Sequence, residues 1–113
     1  MQAKEDKEKF SQALNYFKKS GDNIDSWQGN PHRESDKNHF LYYCENDFEQ
    51  GKDILDSINM QNNDLDIVVL KAKKNLEIMK RSEQYCEQVY YSKFFQKNLG
   101  KAINLINEFV NRS

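Results

Sequence analysis

The chain has 113 residues, a net charge of −1, a mean hydropathy of −1.00 and an aromatic content of 12%. A chain of this length builds one hydrophobic core, so we expect residues 1–113 to form a single domain. The balanced charge removes the usual electrostatic reason for binding nucleic acid or an anionic membrane. The aromatic content argues against disorder. The chain contains 14 Lys and only 3 Arg, a ratio that is typical of an AT-rich source genome.

The first apolar stripe predicts a helix over about residues 3–20, with Gly21 as the residue that follows its C-terminus. Its apolar side chains follow a helical spacing, at Phe10, Ala13, Leu14 and Phe17. Residues 22–34 hold most of the turn-forming residues and therefore predict a loop. We expect Ile24 and Trp27 to fold back onto the bundle, because a loop of this length without apolar anchors would be disordered.

A second helix is predicted from an N-cap at Ser35 or Asp36 to about residue 58. The residues of its seam alternate by three and four positions, at Leu41, Cys44, Phe48, Gly51, Leu55 and Ile58. Gly51 costs about 1 kcal/mol of helix propensity relative to Ala, so its place in the seam indicates close approach of another helix.

A third apolar stripe follows an N-cap at Asn62 or Asn63, and it consists of Leu65, Val69, Ala72, Leu76, Met79, Glu83, Cys86 and Tyr90. A fourth consists of Phe95, Leu99, Ala102, Ile103, Ile106, Phe109 and Val110. These two stripes predict either one continuous helix of roughly 45 residues or two helices with a tight turn between Tyr91 and Gly100, and ordinary helix lengths favour a break or a sharp kink. Glu83 interrupts the third stripe, and we expect its carboxylate to reach solvent. The sequence thus predicts an all-α, up-and-down helical bundle of about four helices.

Cys44 and Cys86 both lie in predicted seams, which leaves two interpretations open. They are either buried free thiols or a disulfide in an oxidising compartment. If the second helix ends at Ile58 and the third begins at Asp64, the two cysteines are about 12 Å out of register at 1.5 Å per residue. A disulfide spans Cα atoms no more than about 7 Å apart, so the register favours free thiols.

The residue types that carry most enzyme chemistry are sparse and badly spaced. The soft metal ligands are His32, His39, Cys44 and Cys86, and they form no Cys-x-x-Cys or His-x-x-x-His pattern. The chain also lacks a phosphate-binding glycine motif. We therefore expect no catalytic residue, no metal site, no cofactor and no enzymatic activity.

Lysines of the third predicted helix and carboxylates of the second suggest interhelical pairing. In an antiparallel hairpin, residues whose numbers sum to about 122 lie opposite one another, which places Glu49 beside Lys73. This arrangement predicts a solvated, mutually neutralising face, and nucleic acid is not expected as a partner.

Consecutive large side chains occur twice, at Phe40–Tyr43 and within residues 90–95. Four consecutive residues cover about 300° of a helix, so one seam cannot bury them all. Either the loop and the first helix cover them, or some form a surface for another protein or for a homodimer. The candidate interaction residues are Tyr42, Tyr43, Tyr90, Tyr91 and Phe95.

These features predict a small non-enzymatic protein-binding module of the inhibitor, immunity-protein, adaptor or chaperone type. The alternative is a secreted or periplasmic protein stapled by Cys44–Cys86, with a small apolar ligand between its helices. No apolar run reaches the roughly 18 residues of a membrane span, and the charged N-terminus lacks the apolar core of a signal peptide. We therefore expect a cytoplasmic protein, or a periplasmic or secreted one if Met1 replaces a removed signal.

Overall fold

The computed structural model describes residues 4–29, 35, 37–58 and 62–112, and within these ranges the chain forms four helices and no strand. These are α1 (Lys4–Gln28), α2 (Lys37–Asp56), α3 (Asn63–Arg81) and α4 (Tyr85–Arg112). The all-α, up-and-down bundle predicted from the apolar stripes is confirmed. The described part measures 47 × 21 × 19 Å, close to the length of the longest helix.

The bundle consists of two helical hairpins, α1–α2 and α3–α4, which pack together mainly through α1 and α4. The contact between α2 and α3 is the least extensive of the four helix pairs. Aromatic rings connect the hairpins in the core, with Phe48 5.4 Å from Phe17 and 5.7 Å from Phe95 between ring centroids. The second and third helices therefore meet more loosely than the other pairs, and a groove lies between them.

The first helix is longer than predicted. It continues through residues 22–28, so the prediction that the loop begins at residue 22 and that Gly21 follows the helix end is wrong. The cause is a continuation of the buried stripe, in which fully buried residues follow one another at steps of three or four. These residues are Phe17, Ser20, Ile24 and Trp27. Burial of Ile24 and Trp27 outweighs the helix propensity that Gly21 costs, about 1 kcal/mol. The expected contact of these two residues with the bundle is confirmed.

The second helix shows why its seam contains glycine. A Cβ atom at Gly51 would lie 2.8 Å from Cε1 of Phe17 and 3.2 Å from the carbonyl oxygen of Ala13. Both distances are shorter than ordinary contacts, which confirms the predicted close approach of another helix. The helix ends at Asp56, two residues before the predicted end, and the proposed N-cap Asp36 lies outside the described residues.

The third helix begins as predicted and ends earlier. The Oδ1 atom of Asn62 accepts a hydrogen bond from the Leu65 amide at 2.9 Å, so the predicted N-cap is confirmed. The break before α4 lies at residues 82–84 rather than between Tyr91 and Gly100, and that predicted position is wrong. Ser82 is extended at φ −71° and ψ 135°, and its hydroxyl can accept from the amide of Gln84 at 3.2 Å. A short polar side chain thus offers the backbone an alternative to the helix.

This break shifts the phase of the apolar stripe. The α4 residues that face the core of the bundle are Gln88, Ser92 and Phe95, while the exposed residues are Glu83, Cys86 and Tyr90. The expectation that the Glu83 carboxylate reaches solvent is confirmed, although it does so in the connection rather than on a helix. The prediction that Cys86 and Tyr90 belong to a buried seam is wrong. Gln88 remains satisfied because its Nε2 atom donates to the carbonyl of Ser82 at 2.6 Å.

Candidate protein-interaction surface

Large aromatic side chains are exposed on two helices. On α2, Tyr42 exposes 65% of its surface and Tyr43 45%, while on α4 Tyr90 exposes 55% and Phe94 39%. Isolated exposed apolar residues are normal in soluble proteins, but grouped aromatic ones mark interaction sites. Tyr91 is half-buried and packs against the core. We call Tyr42, Tyr43, Tyr90, Tyr91 and Phe94 together the aromatic surface.

The aromatic residues of α2 contact one another edge to face. The ring centroids of Tyr42 and Tyr43 are 5.4 Å apart, and the His39 ring lies 4.8 Å from that of Tyr43. Such geometry is the favoured one for aromatic pairs, because the positive edge of one ring meets the negative face of the other. These contacts restrict exposed rings in the absence of a partner, which lowers the entropy lost when another protein binds.

The aromatic residues of α4 form a tighter group. Tyr90 lies 5.0 Å from Phe94 and 5.3 Å from Tyr91 between ring centroids, and Tyr91 also contacts Phe94 at 6.2 Å. Tyr91 anchors the group because one side of it packs on the core. Phe94 was absent from the predicted interaction residues. Its position four residues after Tyr90, on the same outer side of the helix, is the signal that could have identified it.

Phe95 is not part of this surface. It is fully buried and packs against Phe48, so its assignment as an interaction residue is wrong. Its position explains the error, because Phe95 continues the core stripe through Leu99 and Ala102 while its neighbour Phe94 points outward. The alternative interpretation of the surplus aromatics, burial in a wider core, thus describes Phe95 but not Tyr42, Tyr43 or Tyr90.

Both aromatic groups lie beside the last turns of α3. On α2, Tyr42 precedes Glu45 by three residues, and Glu45 forms an ion pair with Lys80 of α3. On α4, Phe94 precedes Asn98 by four residues, and Asn98 donates a hydrogen bond to Asn75 of α3 at 2.9 Å. Since residues three and four apart share one side of a helix, Tyr42 and Phe94 flank the C-terminal end of α3 from opposite sides. Tyr43 instead precedes Asp47 by four residues and lies toward α1, where Asn23 donates a hydrogen bond to Asp47 at 3.0 Å.

Charged residues border the aromatic surface. The last turn of α3 carries Lys80 and Arg81, of which Lys80 is paired with Glu45. Farther from the aromatic surface, one turn along α2, Lys73 and Glu49 are 3.6 Å apart, which confirms the pairing expected from the hairpin register. Mixed charges around exposed aromatics are typical of the rim of a protein–protein interface.

The two cysteines have different environments and are both free thiols, in agreement with the prediction from their register. Cys44 is buried, and its Sγ atom lies 3.2 Å from the hydroxyl oxygen of Ser20, which also donates to the Cys44 carbonyl at 2.8 Å. Burial raises the pKa of the Cys44 thiol to about 12, so it is unreactive at neutral pH. Cys86 is exposed near the start of α4 and is likewise unbonded, so the Cys44–Cys86 disulfide of the stapled alternative is not formed in this structure.

Among the described residues no three potential metal ligands come together, and no helix is both long and apolar enough to cross a membrane. His32 lies outside the described residues, whereas His39 belongs to the aromatic group of α2. Comparisons with protein-family models, with curated proteins and with solved structures found no match to this chain.

Proposed function

We propose that the chain is a non-enzymatic protein-binding module that recognises its partner through the aromatic surface. The observation that carries this proposal is the exposure of Tyr42, Tyr43, Tyr90 and Phe94 near the starts of α2 and α4, with Tyr42 and Phe94 on either side of the C-terminal end of α3. Groups of exposed aromatic side chains favour aggregation of a monomer, and a bound partner would cover them. Tyrosine suits the role, because its ring supplies apolar area and its hydroxyl stays satisfied in water.

The rigidity of the helices supports the same function. Tyr42 and Tyr43 lie in the second turn of α2, which Leu41 and Cys44 fix in the core, and Tyr91 holds the α4 group against the bundle. A preorganised surface loses little conformational entropy on binding, so few anchor residues are enough for a stable complex. Inhibitor, immunity-protein, adaptor and chaperone roles all use such a surface.

Site-specific photocrosslinking in the source cells tests the proposal. A benzophenone side chain replaces Tyr42 in one variant and Tyr90 in another, since both positions already carry an exposed aromatic ring. The matched controls carry the same group at Gln12 and at Asn15, which are exposed positions in the first half of α1, a helix that does not contact α3.

The proposal expects an adduct of the same protein at positions 42 and 90 and none at positions 12 and 15. Adducts of similar yield at all four positions would indicate nonspecific contact, and the absence of any adduct at 42 and 90 would contradict the proposed binding surface. The far-ultraviolet circular dichroism of each purified variant verifies that the helices are intact.

A further inference from the structure

A second apolar surface lies on α3, toward the end of the bundle that is opposite to the aromatic surface. Ile67 exposes 50% of its surface and Leu70 49%, and they are neighbours on the outer side of the helix. We call this pair the aliphatic face. A groove of about 390 Å³ between α3 and α4 borders Ile67, and one of about 270 Å³ between α2 and α3 borders Leu70. The outer side of α3 thus protrudes between two depressions.

Charged residues flank the aliphatic face in a regular order. Asp64 and Asp66 precede the aliphatic pair, and Lys71 and Lys73 follow it. Asp64 and Lys71 are seven residues apart, as are Asp66 and Lys73, so each pair lies along one flank of the helix. Each flank is therefore acidic toward the N-terminus of α3 and basic toward the C-terminus.

This order is self-complementary when two such helices are antiparallel. A rotation of 180° about an axis in the interface, perpendicular to both helices, reverses the helix direction and keeps each flank on its own side. Asp64 then meets Lys71 of the second copy, and Asp66 meets Lys73 of the second copy. The same axis places Ile67 against Leu70 of the second copy. This follows because the midpoints of the three pairs, Asp64 with Lys71, Asp66 with Lys73 and Ile67 with Leu70, all lie near residues 68 and 69.

We propose that a second copy of this chain covers the aliphatic face, with the two α3 helices packed antiparallel about a two-fold axis. A parallel arrangement would bring like charges together, so the charge order selects the antiparallel one. Lys73 already contacts Glu49 at 3.6 Å and would join Asp66 of the second copy in a shared ion-pair network. The contact covers only a few turns of one helix, which is less than the roughly 1,200–2,000 Å² of a standard interface, so the dimer depends on concentration.

Sedimentation equilibrium from about 1 µM to about 1 mM measures this association. We expect the wild type to shift from monomer to dimer, and Leu70→Ser to weaken dimerisation by about tenfold or more, because the symmetric contact loses two leucines. Asp64→Lys and Lys71→Asp should each weaken it at low salt. A mixture of these two variants should form a heterodimer, because every contact between positions 64 and 71 then joins opposite charges.

Tyr42→Ala is the matched control, because it removes an exposed side chain from the aromatic surface at the other end of the bundle and should leave dimerisation unchanged. A chain that stays monomeric up to about 1 mM overturns the proposal. Dimerisation that Leu70→Ser leaves unchanged, or that Tyr42→Ala abolishes, overturns it as well, because the interface then lies elsewhere. Failure of this dimer leaves the crosslinks expected at positions 42 and 90 untouched.

Discussion

Replacement of Gly51 by alanine provides a sharp test of how α1 and α2 pack. The new methyl group would lie 2.8 and 2.9 Å from two carbons of the Phe17 ring and 3.2 Å from the Ala13 carbonyl oxygen. Ordinary contacts between such atoms are about 3.5–4.0 Å, so the ring or the helix must move by more than half an ångström. Phe17 cannot move freely, because it is fully buried against Phe48.

Overpacking of this kind costs about 1–3 kcal/mol, whereas alanine gains about 1 kcal/mol of helix propensity over glycine. We expect Gly51→Ala to lower the free energy of unfolding by about 1–2 kcal/mol, since both a buried ring and a backbone oxygen oppose the methyl group. Gly100→Ala is the matched control. A Cβ atom there meets nothing within 4 Å, so the substitution should raise the free energy of unfolding by about 0.5–1 kcal/mol.

Urea denaturation followed by far-ultraviolet circular dichroism measures both variants. The double variant Gly51→Ala with Phe17→Leu adds a second check, because the smaller side chain relieves the clash and the two substitutions should be non-additive. If Gly51→Ala proved as stable as Gly100→Ala, the close approach of α1 to α2 would be refuted.

Three further predictions follow from burial and charge. Burial raises the pKa of the Cys44 thiol from the ordinary 9.0 to about 12, so above pH 9 the unfolded chain loses the proton first and the free energy of unfolding falls by up to about 1.4 kcal/mol per pH unit. The stability difference between wild type and Cys44→Ala should shrink as the pH rises, and a constant difference would contradict the raised pKa. Tyr42→Ala should change the free energy of unfolding by less than about 0.5 kcal/mol, whereas Phe95→Ala should lower it by about 3–5 kcal/mol. Tyr91 is half-buried, so Tyr91→Ala should lie between these two values. A large loss of stability for Tyr42→Ala would place that ring in the core. A double-mutant cycle with Glu49→Gln and Lys73→Gln should give a coupling free energy below about 1 kcal/mol that disappears at high salt, because both side chains are partly exposed. A larger coupling free energy that persists at high salt would contradict this expectation.

The sequence was sufficient for features that depend on local spacing. The stripe through Leu41, Cys44 and Phe48 predicted the face of α2 that is buried, and the hairpin register predicted the contact of Glu49 with Lys73. Gly51 was informative because glycine lowers helix propensity, so its presence in a helix seam indicates that a larger side chain does not fit there. The Phe17 ring occupies that space.

The errors arose where tertiary contacts outweigh local preferences. Turn-forming residues around Gly21 predicted a loop, but burial of Ile24 and Trp27 keeps the chain helical to Gln28. The break at residues 82–84 has no proline or glycine. It is accompanied by hydrogen bonds from the Gln84 amide to the Ser82 hydroxyl and from the Gln88 side chain to the Ser82 carbonyl, which only the folded structure shows. The phase of α4 depends on this break, so the exposure of Cys86 and Tyr90 could not be assigned from spacing alone, whereas the spacing had already placed Phe95 in the fourth apolar stripe.

Hydroxyl-radical footprinting with mass spectrometry tests the central claim, that the aromatic surface is open in the free chain and covered in the complex. In the purified chain, Tyr42 and Tyr90 should be oxidised rapidly, while the buried Phe48 and Phe95 should resist. With the partner identified by crosslinking present, Tyr42 and Tyr90 should become protected, whereas the half-buried Tyr16 on α1 should be oxidised as before. Slow oxidation of Tyr42 and Tyr90 in the free chain, or unchanged oxidation in the complex, would contradict the account.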